Sequence, residues 1–221
     1  MVDRRAPAPW EYRSVIANYL EAAHDVLDIG TGGGEVLLEV AAGVRSALGI
    51  DIDPIMIEVA AENGEGSPNV SFRLVGPGLE EVRERFDVVL NRHAPCDLAT
   101  VSSHLRSAGM FITQQVGERN MANIKAVLGN PVSPAPISRD AFDVEPLELI
   151  EFREYDVTYV VSDVDSLVFW LRSLDLLHAD IDGPAATADV EIFNAILEGN
   201  VGDEGFVTNE HRYLAVARKV G

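Results

Sequence analysis

The chain has 221 residues, 47% hydrophobic and 7% aromatic, which is enough for one sizeable core. Its 17 Lys and Arg against 36 Asp and Glu give a formal net charge of −19, and so acidic a surface repels nucleic-acid phosphates and anionic membrane leaflets. A single cysteine, Cys96, excludes an internal disulfide, and no apolar run approaches the roughly 18 residues of a membrane span. The N-terminal Met-Val-Asp-Arg-Arg lacks the apolar stretch of a secretory leader, so the expectation is a soluble, cytoplasmic protein that binds neither nucleic acid nor membranes.

After a Pro-rich tip, residues 10–23 carry Tyr12, Val15, Ile16, Tyr19 and Leu20 at helical spacing. Residues 25–29 are a first predicted strand, followed at once by glycines, and residues 35–42 resume as a helix with Val36 and Val40 one turn apart. A second strand is predicted at 46–50. The helix after it has a clear start, with Asp53 as N-cap and Pro54 at the first helical position. Ile55, Met56, Val59 and Ala60 give that helix its buried stripe, and Asn63-Gly64 ends it. Val70, Phe72 and Leu74 alternate through a third strand at 69–75, and residues 86–90 and 110–116 read as the fourth and fifth. A helix over 97–107 joins those two and stops at Ala108-Gly109. Residues 118–128 form a helix closed by Gly129, and 130–136 a Pro-rich loop. Beyond lie a strand at 149–161, helices near 166–176 and 185–198, and a last strand at 211–219. Five β-led units followed by two further strands predict a doubly wound α/β sheet, with ligands at the carboxyl ends of its central strands.

The informative stretch is residues 26–35, Val-Leu-Asp-Ile-Gly-Thr-Gly-Gly-Gly-Glu. Glycines after a strand let the backbone turn tightly and approach a ligand, and the amides of the following helix face an electron-rich group. Asp51, about twenty residues on, ends the next strand, where a carboxylate accepts from both hydroxyls of a ribose. Together these indicate an adenosine-type ligand. The dinucleotide pattern wants a third glycine where Glu35 stands, whereas here Gly30, Gly32 and Gly34 alternate behind Asp28. A buried carboxylate repels a pyrophosphate and suits a cationic ligand.

On these residues the chain resembles the class I S-adenosylmethionine-dependent methyltransferases, whose first motif has the form acidic-x-Gly-x-Gly-x-Gly. Residues 48–54, Leu-Gly-Ile-Asp-Ile-Asp-Pro, look like the family's second motif, which implies that Asp51 holds the ribose and Ile52 packs on the adenine. Residues 86–93 stand where the family's fourth strand delivers residues to the transfer site. Residues 105–113 are similar to the entry to its fifth strand, with Ala108 in place of a glycine, and Thr-Gln-Gln-Val-Gly at 113–117 resembles a small bacterial branch. The resemblance implies a Rossmann-like, doubly wound sheet of seven strands, mostly parallel with an antiparallel C-terminal hairpin and helices on both faces. It implies one domain over 1–221, with an N-terminal helical cap at 1–24 and a helical insertion at 162–205. S-adenosylmethionine is the implied cofactor, contacted by Asp28, Gly30, Thr31, Gly32, Gly34, Asp51, Ile52, Asp53, Gly76 and Asn91. The chain departs from the family after the third strand, where many members carry an acid or amide for the adenine amino group. Here the chain reads Val75-Gly76-Pro77-Gly78, so adenine is expected to meet backbone groups around Gly76.

Methyl transfer from a sulfonium is an in-line displacement that needs alignment and desolvation, with a base only if the acceptor must lose a proton. His93, three residues past the fourth strand, is the candidate base, since an unperturbed imidazole titrates near 6.5. Arg92 is placed to pair with Asp28 or an acceptor carboxylate, and Gln114 and Gln115 to bond an acceptor or satisfy loop backbone. Trp10 and Tyr12 read as a lid or as core, and Phe169, Trp170 and Leu171 as pocket wall or as core. Residues 178–182, His-Ala-Asp-Ile-Asp, and the His93-x-x-Cys96 pair have metal-ligating types but no accompanying cluster, so no metal is expected. The expected enzyme, a monomer or homodimer, methylates a small-molecule acceptor. A protein or RNA acceptor, or a non-catalytic binding module, is the alternative.

Overall fold

The computed structural model describes residues 2–4, 7–129, 137–143, 146–173 and 184–221. The chain divides into two compact units, one made of Trp10–Val116, Ala135–Glu154 and Tyr213–Gly221, the other of Met1–Pro9, Gly117–Pro134 and Tyr155–Arg212.

The first unit is built on five parallel strands: β2 (Asp25–Ile29), β3 (Ser46–Asp51), β4 (Val70–Leu74), β5 (Phe86–Arg92) and β6 (Leu105–Val116). They lie in the order β6-β5-β2-β3-β4, with Leu27 opposite Leu48 on one side and Val89 on the other. Strands buried on both faces read as unbroken apolar runs. Accordingly Val26, Leu27, Val88, Val89 and Leu90 are wholly buried. Helices α1 (Tyr12–Ala17), α2 (Glu35–Ala41), α3 (Pro54–Asn63) and α4 (Leu98–His104) join the strands. α3 starts as expected: the Asp53 carboxylate accepts from the Ile55 amide at 2.8 Å and Pro54 opens the helix. The core gathers Leu27, Leu48, Ile50, Val89, Leu105 and Phe111 with Phe142, Leu147, Tyr213 and Ala215. The last four come from the two long strands β7 (Leu147–Val161) and β9 (Gly205–Lys219), which continue the order past β6 as an antiparallel hairpin, and from a 3-10 turn at Arg139–Asp143.

In the second unit, β1 (Val2–Arg4) runs antiparallel to the end of β7, and β8 (Val201–Gly202) pairs with the start of β9. Helices α5 (Ala122–Val127), α6 (Val164–Ser173) and α7 (Pro184–Leu197) bury Ile124, Leu167, Leu171 and Ile196 against Val161 and Phe206. Leu171 is therefore core, Trp170 packs on it half-buried, and Phe169 is exposed.

The architecture is the expected mixed α/β Rossmann-like sheet, with differences at the edges. Nine strands are described rather than seven, because β1 and β8, three and two residues long, are too short to carry an alternation. β6 starts at Leu105, five residues earlier than the apolar run at Met110 suggests. Leu105 already pairs with Phe86, and the register shifts between Phe86 and Val88 around Ala108, which adopts φ +61°. α1 ends at Ala17, and α5 starts only at Ala122 because Met121 sits at φ +55°. Residues 130–136 and 178–182 lie outside the described residues, as does much of the expected insertion at 162–205. Among the described residues no helix is long and apolar enough to cross a membrane. Since a left-handed alanine is strained by about 1–2 kcal/mol and glycine is not, Ala108→Gly raises stability by roughly 0.5–1 kcal/mol in urea denaturation.

Candidate cofactor and active site

Within the first unit the chain leaves β2 toward β3 and β4, then returns to the other side of β2 with β5 and β6. The loops after β2 and β5 therefore diverge, opening a crevice at the carboxyl ends of the strands. Gly30, Gly32 and Gly34 all take left-handed conformations, at φ +72°, +55° and +80°. The amides of Gly30 and Thr31 both donate to the Ile50 carbonyl, at 2.9 and 3.0 Å, which draws the turn against β3. A methyl group at Gly30 would collide with Cβ of Ala94 on the loop after β5, so only glycine lets the two loops meet. At Gly32, by contrast, the position of a Cβ faces open space.

Asp51 is held from two sides. Oδ2 accepts from the Gly32 amide at 2.9 Å and Oδ1 from the Asp53 amide at 3.0 Å, so each oxygen keeps lone-pair capacity for a ligand. The carboxylate lines a cavity of about 510 Å³. Its lining takes Ile29 and Gly30 from the end of β2 and the turn, Ile50 and Ile52 beside Asp51, and the apolar Val75, Pro77 and Leu79 after β4. The end of β5 and the loop after it, from Arg92 to Asp97, complete it. The volume lies in the usual range for small-molecule sites, roughly 300–1,000 Å³.

Behind the turn sits Asp28, only 4% exposed. Burial pushes its carboxyl up to about 6; the Asp51 charge adds to the rise, while Thr31 and Arg92 oppose it. Thr31 stands close enough to ease that rise, yet its buried Oγ1 has no partner in hydrogen-bond geometry. Burial likewise drives the Cys96 thiol up to about 12, with Asp97 adding to it, so the thiol is not nucleophilic at neutral pH.

The N-terminal aromatics are core rather than lid. The Tyr12 hydroxyl donates to the Ile112 carbonyl at 3.0 Å, with the Asn91 carbonyl at 3.2 Å, and Trp10 Nε1 donates to Gln114 Oε1 at 2.8 Å. Burial, and then the charge of Asp28, raises the Tyr12 hydroxyl well above its ordinary pKa. It stays a neutral donor throughout the working range. Tyr12→Phe leaves buried carbonyls short of a donor and lowers stability by about 1–2 kcal/mol, read by thermal denaturation.

The cavity brings Gly30, Asp51, Ile52 and His93 together, with Gly32 and Asp53 anchoring Asp51 and with Asp28 and Thr31 in the layer behind. Gly76 lies between two wall residues, Val75 and Pro77. Gly34 faces away: a Cβ there would meet the Phe72 ring at 2.7 Å. Asn91 is wholly buried and its amide is spent on protein, Nδ2 donating to the Ile29 carbonyl at 3.0 Å while Oδ1 accepts from Thr113, Cys96 and Gln115. Wall residues Val75, Leu79, Ala94 and Pro95 escaped sequence reasoning. The signal available was an apolar residue amid prolines and glycines after a strand, which reads equally as loop packing.

Three likenesses bear on this geometry. The sequence profile of the methyltransferase-domain family matches residues 20–132. The ribosomal protein L11 methyltransferase of Deinococcus radiodurans is 27% identical over 132 residues, which are 58% of this chain and 46% of that protein. The chain thus spans less than half the length of the curated relatives it matches. Among solved structures, the YcgJ protein from Bacillus subtilis superposes with a TM-score of 0.67 at 16% identity, covering 95% of this chain and 98% of that one. Coclaurine N-methyltransferase bound to N-methylheliamine and SAH gives 0.59 at 14% identity, covering 94% and 72%. These likenesses carry the fold. The curated relatives correct one expectation, that of a small-molecule acceptor, because they are named for methylating a ribosomal protein. The expectation failed because motifs around a cofactor turn do not encode the acceptor, whose contacts come from variable loops.

Proposed function

The chain belongs to the methyltransferase-domain family, and we propose that it transfers a methyl group from S-adenosylmethionine to a protein acceptor. The observation that carries the cofactor is the Asp51 carboxylate, fixed by two backbone amides at a cavity of suitable volume with a second, buried carboxyl behind it. Those acceptors fit a cationic ligand with a ribose diol and no phosphate. Asp51 accepts from the ribose hydroxyls, Ile52 with Val75, Pro77 and Leu79 encloses the adenine, and backbone around Gly76 meets its polar edge. Asp28 offsets the ligand's positive charge from beneath the turn. When bound, S-adenosylmethionine supplies an electrophilic methyl group, so the protein's work is alignment and exclusion of water. A polypeptide acceptor is supported by the curated relatives, and a surface of net charge −19 favours encounter with a basic protein.

Calorimetric titration with S-adenosylmethionine, with NADH as control, tests the cofactor: saturable binding of the first and none of the second is expected. Methyl-labelled S-adenosylmethionine is then offered with purified ribosomal proteins, L11 first. Label entering a protein band supports the acceptor class, whereas cofactor binding with label only in small molecules overturns it.

A further inference from the structure

Between β4 and β5 the chain forms neither helix nor strand, yet this stretch gives the cavity Val75, Pro77 and Leu79. Two backbone bonds shape it: the Leu79 amide donates to the Gly76 carbonyl at 3.1 Å, and the Val82 amide to the Leu79 carbonyl at 3.0 Å. Leu79 takes a left-handed φ of +57°, which a leucine adopts rarely and keeps only where its surroundings hold it. Its side chain and that of Val82 are buried in the core with Val101 of α4. A polar hold comes from α4 as well. His104, the last residue of that helix, is buried, and its Nε2 stands 3.0 Å from the Val82 carbonyl. A carbonyl oxygen only accepts, so Nε2 carries a proton and donates it. Nδ1 has the Ser103 hydroxyl at 3.1 Å and the Thr100 carbonyl at 2.9 Å, and so finds a partner with or without a proton of its own. Asp97, the N-cap of the same helix, accepts from the Thr100 amide at 2.8 Å and itself lines the cavity. One short helix is thus tied to the cavity at both ends.

We infer that His104 is a positioning residue for the cofactor: its Nε2–H fixes the Val82 carbonyl, and through it the turn in which Leu79 and the Gly76 backbone meet the adenine. What the turn holds rests on the methyl-transfer reading above; the tether does not. The tether matters here because the chain has Gly76, Pro77 and Gly78 where an acid or amide side chain could seek out the adenine. Recognition by backbone depends on where the backbone stands.

Two amide substitutions in the full chain separate reach from polarity. His104→Gln sets an amide nitrogen near the place of Nε2 and keeps the bond to Val82, whereas His104→Asn reaches only the place of Nδ1. By calorimetry below its melting temperature, His104→Asn is expected to bind S-adenosylmethionine about five- to tenfold more weakly, and His104→Gln within about twofold of wild type. Methylthioadenosine, which keeps the adenine and ribose without the amino-acid part, loses affinity by the same factor. Hydrogen exchange of the empty protein speeds up at the Leu79 and Val82 amides in His104→Asn and not in His104→Gln. A role confined to stability would lower the melting temperature and leave the affinities alone. Equal affinities in the three folded proteins, or a loss for S-adenosylmethionine that methylthioadenosine does not share, overturns the inference. So does an unprotonated Nε2 on His104 in nitrogen-15 NMR of the wild type, which requires no variant to fold. If the wild type binds neither ligand, it is the methyl-transfer reading that fails, and exchange and NMR then decide the tether by themselves.

Discussion

Asp51→Ala is expected to weaken S-adenosylmethionine binding by at least about 100-fold, since hydrogen bonds to a charged group contribute about 1.5–3 kcal/mol each and the proposed function has two ribose hydroxyls share this carboxylate. The loss has a second source. Asp51 ties Gly32 of the glycine turn to Asp53 at the head of α3 through its two oxygens, at 2.9 and 3.0 Å, so the shape of the turn depends on it. Asp51→Asn is the milder variant. It keeps one carbonyl to accept from one of the two amides and loses the charge and the other tether, so affinity and thermal stability both fall, each by less than in the alanine variant. Calorimetry with both variants is the measurement. Undiminished affinity in a folded Asp51→Ala protein would remove Asp51 from the site.

The elements that position this site were legible because burial wrote them into the sequence. β2, β3 and β5 are covered on both faces and appear as short apolar runs, and α3 announces itself through Asp53 and Pro54. Where the signal was mixed, reading failed. The polar Arg106 and the left-handed Ala108 interrupt β6, so only its second half reads as a strand. Arg106 is there for the far end of the sheet, where it joins Arg45 in pairing Asp25 and Asp87, and the Arg45 hydrogen bond holds the Asp25 carboxyl well below the usual range. The glycines divide in a way no sequence states. Gly30 and Gly32 serve the cavity, while Gly34, Gly49 and Gly64 each leave room for the Phe72 ring. Asn91 shows the same ambiguity: a polar residue at a strand's carboxyl end points to ligand or to protein by its rotamer, and here it binds β2 to β6 from within.

A buried carboxyl weakens the protein that holds it, and Asp28→Asn exposes that burden. The folded protein holds the Asp28 proton up to about pH 6, against 3.8 for an ordinary aspartate, so between those two values it binds more protons than the unfolded chain. Stability therefore falls as pH rises through that window and stays reduced above it. The difference of about two pH units corresponds to roughly 3 kcal/mol. Asp28→Asn removes the ionisation while keeping the shape, and is expected to stabilise the empty protein by roughly 2–3 kcal/mol at pH 7–8 and by little at pH 4. Urea denaturation at several pH values between 4 and 8 makes the comparison. Binding moves the other way, because a cation prefers the ionised carboxylate. Wild-type affinity for S-adenosylmethionine rises as pH increases through 6, and the variant, neutral throughout, shows neither the rise nor the full affinity. Parallel pH profiles for the two proteins, in either stability or affinity, would mean that Asp28 does not titrate in this window and that the ligand's charge is met elsewhere. Opposite signs in the two measurements would identify Asp28 as a residue kept for its ligand at the expense of the fold.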